Sequence, residues 1–187
     1  MVIEAKFKHT LKEMMKEKDI EDINVTTLCE RCSCHRQTFY YHYQDIYDLI
    51  AAIFLGEKLE KFETSKTIRD ALRAFVAYAK DNYDFLRKTY NSAAKDLVDD
   101  FMVSKLNLKI LQLQKGAEDN TLEKKNLYNF SRRLAKVFAD EFGHYLKENG
   151  LPAERFAKKA QRYIDDVIAT LLPSYVSLSM KEATRND

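Results

Sequence analysis

Hydrogen-bonding side chains are concentrated between residues 24 and 43 of this 187-residue chain. The segment reads N-V-T-T-L-C-E-R-C-S-C-H-R-Q-T-F-Y-Y-H-Y, and its second half combines a guanidinium, an amide, hydroxyls and imidazoles. Groups of these types bond the edges of bases in the major groove and the oxygens of the phosphate backbone. The pattern therefore indicates nucleic-acid recognition.

Two short helices joined by a tight turn would position these groups. Thr26 and Thr27 provide capping hydroxyls at the start of the first helix, and Thr27 with Glu30 has capping-box spacing. Phe39 and Tyr43 are four residues apart, so they share one face of the second helix and can attach it to a core. This is the arrangement of a helix-turn-helix reader. The residues left to point outward are Gln37, Thr38 and Tyr41.

The same segment, followed by Q-D-I-Y-D-L-I, resembles the helix-turn-helix of the TetR (tetracycline-repressor-like) transcription regulators over about residues 6 to 55. Gln37-Thr38-Phe39-Tyr40 and Tyr43 resemble the subgroup that includes the dihydroxyacetone-kinase activator. The resemblance implies a homodimer that binds double-stranded operator DNA and responds to a small-molecule or protein effector. The residues expected to bind DNA are Thr26, Thr27, His35, Arg36, Gln37, Thr38, Tyr40, Tyr41 and His42.

Within this set, Gln37 and Thr38 are expected to read base edges. The residues expected to hold phosphates are Thr26, Thr27, Tyr40, Tyr41 and His42. The chain departs from the family pattern at three positions. Ser33 replaces a turn glycine, His35 replaces a small capping hydroxyl, and Ile46 replaces a phosphate-contacting lysine.

The N-terminal segment lacks the strongly basic balance common among DNA-binding domains. The whole chain carries a net charge of +2, and residues 1–48 contain seven Lys and Arg against nine Asp and Glu, a difference of −2. This balance favours a second hypothesis, a helical partner-binding protein or co-activator whose helix-turn-helix no longer reads DNA. The residues that could form a basic DNA-facing side are Lys6, Lys8, Arg36, His9, His35 and His42.

Composition and periodicity predict an all-α protein of about nine helices. Four glycines and two prolines are too few for a loop-rich β architecture, and apolar residues recur at helical spacing. We expect an N-terminal helix-turn-helix DNA-binding domain over residues 1–48, and a helical regulatory and dimerisation domain over 49–187. A linking helix is expected over about residues 46–60. The chain has no signal-peptide pattern or long apolar stretch, so a cytoplasmic location is expected.

Two long helices are predicted at the C-terminus, over residues 122–148 and from Pro152 to about Met180. Asn149-Gly150 suits a helix C-cap, Pro152 suits a first turn, and Pro173 predicts a kink. Two antiparallel helices can build the four-helix interface of a two-fold dimer, although the same apolar stripes could close an intramolecular core. The predicted interface residues are Phe138, Phe142, Tyr145, Tyr163, Ile164, Val167, Ile168 and Leu171.

Aromatic residues are abundant between positions 75 and 145. The family resemblance implies a ligand cavity among these helices, whereas the residue types alone are equally suited to an ordinary core. Nothing in their spacing selects a ligand. The residues expected to line the cavity are Phe75, Tyr78, Asn82, Tyr90, Phe101, Tyr128 and Phe138.

Cys29, Cys32, Cys34 and His35 form the pattern C-x-x-C-x-C-H, whose spacing suits zinc. A second C-x-x-C pair is absent, and free cysteine is often an ordinary buried residue. Oxidation of Cys29 or Cys34 is a further hypothesis.

The sequence also lacks a Gly-rich phosphate loop, a G-x-S-x-G elbow and an H-E-x-x-H motif. We therefore expect a protein that is not an enzyme and holds neither a cofactor nor a metal.

Overall fold

The computed structural model describes residues 2–113 and 121–183, the latter with side chains from 128 to 170 only. These ranges contain helices and no strand, which confirms the all-α prediction. The sequence also predicts a turn over residues 116–120, which lie outside these ranges. The helices are α1 (Ile3–Glu17), α2 (Val25–Arg31), α3 (Arg36–His42), α4 (Ile46–Gly56), α5 (Glu60–Thr64), α6 (Ile68–Asp81), α7 (Tyr83–Tyr90), α8 (Lys95–Leu113), α9 (Thr121–Lys147) and α10 (Ala153–Ala183), with a 3₁₀ turn at Ile20–Asp22.

Several helix ends follow from local side-chain chemistry. The Thr67 hydroxyl accepts a hydrogen bond from the Asp70 amide (3.1 Å) at the start of α6, and Asp45 caps α4 in the same way. Gly150 has a φ of 69°, the left-handed conformation that glycine adopts readily just after a helix. Helix α10 begins directly after Pro152, as predicted. Pro173 lies within α10, and the kink there stays a prediction.

The linking helix is shorter than predicted. We expected one helix over about residues 46–60, but α4 ends at Gly56 and a separate α5 begins at Glu60. The reason lies in contacts to residue 57 from distant parts of the chain. Lys105 Nζ donates to the Glu57 carbonyl oxygen (2.7 Å), and Lys12 forms an ion pair with the Glu57 carboxylate. Residues 57–59 therefore form a junction between α1, α4, α5 and α8.

The N-terminal helices pack directly onto the C-terminal ones. Helix α1 contacts α7, and α4 contacts α8, within one continuous hydrophobic cluster that includes both Phe7 and Val167. Polar contacts reinforce this packing, since Lys12 Nζ donates to the Asn82 side-chain oxygen (3.0 Å). Lys88 Nζ likewise donates to the Lys18 carbonyl oxygen (3.0 Å). A movement of the C-terminal helices would therefore be transmitted to α1 and α4.

The C-terminal bundle is built from α5 to α10. Helix α8 packs along α9, and α10 packs along α6. A buried hydrogen bond joins Ser131 Oγ of α9 to Asn107 Oδ1 of α8 (2.6 Å). Among the described residues, no helix is both long and apolar enough to cross a membrane.

Gly143, within α9, makes room for the Tyr90 ring of α7. A Cβ atom at position 143 would lie 2.1 Å from the Tyr90 hydroxyl oxygen and 2.5 Å from its Cζ. Tyr90 is buried, and the ammonium groups of Lys95 and Lys147 lie 4.9 and 5.9 Å from the centre of its ring. The missing side chain therefore sets how closely α7 and α9 approach.

We expect Gly143→Ala to lower the free energy of unfolding by up to about 2 kcal/mol. Overpacking costs about 1–3 kcal/mol, and the better helix propensity of alanine offsets about 1 kcal/mol of this. Urea denaturation measures the change. In a Tyr90→Ala background the same substitution should become neutral or stabilising, and an equal loss in both backgrounds would contradict the packing explanation.

Candidate nucleic-acid interface

Helix α2 is capped by Asn24, not by the predicted threonines. The Asn24 side-chain oxygen accepts a hydrogen bond from the Thr27 amide (2.9 Å), and the Thr27 hydroxyl donates back to the Asn24 carbonyl oxygen (3.0 Å). Thr27 therefore occupies the third helical position, and the predicted capping box of Thr27 and Glu30 is wrong. Asparagine is among the best N-cap residues, so the cap falls on Asn24. Thr26, the second residue of the helix, keeps an exposed side chain.

The turn between α2 and α3 has the hydrogen-bond pattern of a Schellman motif. The Ser33 amide donates to the Glu30 carbonyl (3.0 Å), and the Cys34 amide donates to the Cys29 carbonyl (3.1 Å). Ser33 has a φ of 53°, in the left-handed region that glycine adopts most readily. Lys6 Nζ of α1 satisfies a further helix-end carbonyl, that of Cys32 (2.6 Å). The turn is thus fixed by both local bonds and a contact from α1.

Helix α3 is held in place by one aromatic face, as predicted. The Phe39 side chain is 0% exposed, and its ring centre lies 5.4 Å from that of Phe7 and 5.6 Å from that of Tyr43. Tyr43 is also buried. Burial of a phenylalanine side chain contributes about 1.5–3 kcal/mol, so this contact fixes which face of α3 points outward.

The nine residues predicted to bind DNA all have side chains at the surface. Tyr41 is 85% exposed and Tyr40 is 50% exposed. Gln37 and Tyr41 are one helical turn apart on the face of α3 that Phe39 leaves outside. The exposed members of the set are Thr26, His35, Arg36, Gln37, Tyr40 and Tyr41, and the partly buried members are Thr27, Thr38 and His42.

A surface groove of about 420 Å³ lies between the start of α2, the start of α4 and helix α3. Thr26, Arg36 and Tyr40 line it, so the structure brings these three predicted residues together. Arg36 Nη2 donates to the Tyr40 hydroxyl oxygen (3.3 Å), which keeps the guanidinium beside the ring. The groove also contains two carboxylates, Glu21 and Asp45, and the Asp45 side chain is already engaged as the cap of α4.

Most of the N-terminal lysines have structural partners. Besides Lys6, Lys8 Nζ donates to the Ala52 carbonyl oxygen (2.9 Å), and Lys12 pairs with Glu57. The His42 ring is also engaged, since its Nδ1 lies 3.0 Å from a carboxylate oxygen of Glu4. Lys6, Lys8 and His42, expected to form a basic side, are therefore used within the fold.

Ile46, which the family resemblance placed at a lysine position, is 7% exposed and belongs to the hydrophobic cluster. A lysine there would have to bring its ammonium group out of this core. The isoleucine at position 46 thus attaches the start of α4 to the core.

The predicted ligand-cavity residues do not form a single cluster. Phe75, Tyr78 and Phe101 contact one another, with ring centres 5.8 to 6.3 Å apart. The Asn82 amide donates to the Tyr78 carbonyl (3.0 Å), one turn away. The other three members have different surroundings: Tyr90 packs against Gly143, Phe138 packs against Tyr163, and Tyr128 is 48% exposed.

Within the cluster, Tyr78 has a hydroxyl that is buried without a hydrogen-bond partner among the described residues. Burial, followed by the nearby Glu57 carboxylate, raises the pKa of Tyr78. The same tyrosine lines a groove of about 300 Å³ between α5 and α6. Tyr78 therefore has the unused hydrogen-bonding capacity that a polar ligand group could satisfy.

The residues predicted for a dimer interface lie mainly in the core of one chain. Phe138, Phe142 and Ile164 are at most 2% exposed, because they pack between the helices of a single subunit. These three side chains have almost no exposed surface for a second subunit to contact, and Val167 is also buried. Tyr145, Tyr163 and Ile168 are partly buried, and the Leu171 side chain lies outside the described residues. The amphipathic stripes thus serve the intramolecular core, the alternative that the sequence left open.

Zinc binding by the cysteine cluster finds no support in the geometry. Cys32 is 1% exposed, and its sulfur lies 3.4 Å from the Thr10 hydroxyl oxygen on α1. Among the residues that the structure describes, no group of three or more His, Cys, Asp or Glu side chains is arranged to hold a metal ion.

The fold is similar to that of a solved transcription activator. The dihydroxyacetone kinase operon activator DhaS matches with a TM-score of 0.61 and 14% sequence identity, over 92% of this chain and 96% of its own. The likeness is one of fold, and it supports the TetR-like architecture expected from the helix-turn-helix segment. No protein-family model and no curated protein sequence matches the chain.

We expect Asn24→Ala to lower the free energy of unfolding by about 1 kcal/mol, because α2 loses its N-cap. Asn24→Asp should retain most of the stability, since a carboxylate can accept the same bond. Thr26→Ala, one position past the helix start and exposed, is the matched control and should change little. Thermal or urea unfolding measures all three, and equal losses in Asn24→Ala and Thr26→Ala would contradict the cap.

Proposed function

We propose that this protein is a DNA-binding transcription regulator that places α3 in the major groove. The observation that carries the proposal is the two-sided character of α3. Phe39 and Tyr43 are buried on one side, and Gln37 and Tyr41 are exposed on the other. A short helix anchored in this way presents its polar residues as a rigid surface, as helix-turn-helix readers do.

In this proposal, Gln37 and Thr38 contact the base edges. Glutamine can form a bidentate pair with adenine, and threonine can contact several bases. Thr26, Arg36 and Tyr40 line one groove beside α3, which suits contacts to a phosphate along the edge of the major groove. Because several lysines are engaged within the fold, base contacts should provide a larger share of the affinity than in a strongly basic reader.

We further propose that the protein acts as a homodimer. One short α3 helix reads a half-site, and two readers about 34–36 Å apart reach successive major grooves. Since the predicted interface residues of α9 and α10 are largely buried within one chain, the interface would use their outer faces. Val137, which is 46% exposed on α9, lies on such a face.

Effector control would act through the junction at residue 57. Lys12 of α1 and Lys105 of α8 both bind Glu57, at the end of α4. The buried Tyr78 hydroxyl of α6 lies near the same carboxylate. An effector that binds near Tyr78 would bias the position of α4, and with it the spacing of the two readers. Such coupling requires different effector affinities in two states, and it is reciprocal with DNA binding.

A partner-binding protein or co-activator that does not read DNA is the second candidate. The carboxylates Glu21 and Asp45 in the groove and the apolar residue at position 46 favour it, because they reduce the attraction for phosphate. DNA binding with sequence preference separates the two candidates.

Gln37→Ala tests base reading most directly. The substitution should cost about 1–3 kcal/mol at one base position in each half-site and relax specificity there, because an exposed amide loses its bond to one base. Fluorescence anisotropy on operator duplexes altered one base pair at a time measures the effect. Equal losses on every duplex would contradict a base-reading role.

Tyr40→Phe is the matched control, because Tyr40 is proposed to contact a phosphate and not a base. Removal of a hydroxyl that contacts the backbone should weaken binding to all duplexes alike, by about 1 kcal/mol. The half-exposed ring and its contacts with Phe39 are retained, so folding should be unaffected. A loss confined to particular base sequences would assign Tyr40 to base reading instead.

A further inference from the structure

Two cysteines occupy paired positions of the turn between α2 and α3. In a Schellman motif, the third residue from the end of the helix and the second residue beyond its C-cap are joined by a backbone hydrogen bond, and their side chains frequently contact. These positions are occupied by Cys29 and Cys34, and the bond from the Cys34 amide to the Cys29 carbonyl measures 3.1 Å. The backbone thus brings two thiols together across the turn.

The surroundings of the two thiols differ. Cys29 is 2% exposed, whereas Cys34 is partly buried and packs against the edge of the same hydrophobic cluster. Burial, followed by the adjacent Cys34 thiol, raises the pKa of Cys29 to about 11. Cys34 is therefore the thiol that a reagent in solution reaches, and Cys29 is the neighbour behind it.

The third cysteine is directed elsewhere. Cys32 contacts the Thr10 hydroxyl on α1, and its carbonyl accepts the bond from Lys6. A bond from Cys32 to either neighbouring cysteine would have to break this contact with α1. Cys29 and Cys34 occupy the two positions of the motif whose side chains frequently contact.

We propose that Cys29 and Cys34 form an oxidation site that closes into an intrachain disulfide while Cys32 remains a thiol. A disulfide requires Cα atoms about 4.4–6.8 Å apart, a spacing that a backbone hydrogen bond between the two residues favours. The bond would join the last turn of α2 to the residue before the N-cap of α3. The proposal concerns the turn itself and does not depend on DNA binding.

With a peroxide as the oxidant, the chemistry takes two steps. The Cys34 thiolate attacks one peroxide oxygen, the O–O bond breaks, and Cys34 becomes a sulfenic acid as hydroxide leaves and is protonated to water. The Cys29 sulfur then attacks the Cys34 sulfur, the S–O bond breaks, and the Cys29 proton leaves with the hydroxyl as a second water. The two thiols lose two electrons and two hydrogens, and hydrogen peroxide is reduced to two waters.

The test is oxidation of the folded full-length protein with limiting hydrogen peroxide, followed by alkylation of remaining thiols and mass spectrometry. Trypsin cleaves after Arg31, so it separates Cys29 from the other two cysteines. We expect a reductant-sensitive link between peptides 19–31 and 32–36, in both the wild type and Cys32→Ala. Cys34→Ala should give no link, and circular dichroism establishes that each variant is folded.

Three results would overturn the proposal. They are a link that persists in Cys34→Ala, a link that disappears in Cys32→Ala, and oxidation of the folded wild type to sulfinic acid or intermolecular disulfide without the intrachain link. Cys34→Ala alters a partly exposed side chain, so the test does not rely on a substitution at the buried Cys29.

Discussion

The orientation of α3 depends on the burial of one side chain, that of Phe39. Helix α3 spans only seven residues, Arg36–His42, and helices of that length are not stable alone in water. Phe39 is fully buried against Phe7 and Tyr43, so α1 and the end of α3 hold the helix from inside the fold. The exposure of Gln37 and Tyr41 follows from this contact. The orientation of the exposed face of α3 therefore depends on the packing of the core beneath it.

The N-terminal lysines are used to build the fold, and this shapes the proposed function. Lys6 binds the end of α2, Lys8 binds α4, and Lys12 binds Glu57 at the junction. Each lysine holds a helix in place, and its ammonium group is then not available to bind a phosphate. Such a domain would gain specificity from orientation while having a weaker non-specific attraction for DNA. Lys8 and Lys12 connect α1 to α4, so they also define the route by which the C-terminal helices could influence the orientation of α3.

Local features of the sequence predicted the elements whose causes are local. The spacing of Phe39 and Tyr43 predicted the buried face of α3, and Gly150 predicted the end of α9. The N-cap of α2 was misassigned because asparagine and threonine both suit that role within four residues. The break after Gly56 depends on Lys105, which is distant in sequence. An apolar stripe containing Phe138 and Phe142 also cannot show whether its partner helix belongs to the same chain.

Selection from a pool of randomised DNA duplexes tests the central claim most directly. The full-length protein would be incubated with the pool at physiological salt, and the bound duplexes sequenced over several rounds. Enrichment of a two-fold symmetric motif, with half-sites about 10–10.5 base pairs or a multiple of this apart, is the predicted result. Recovery of duplexes without any enriched sequence would contradict the account, because α3 would then not read bases.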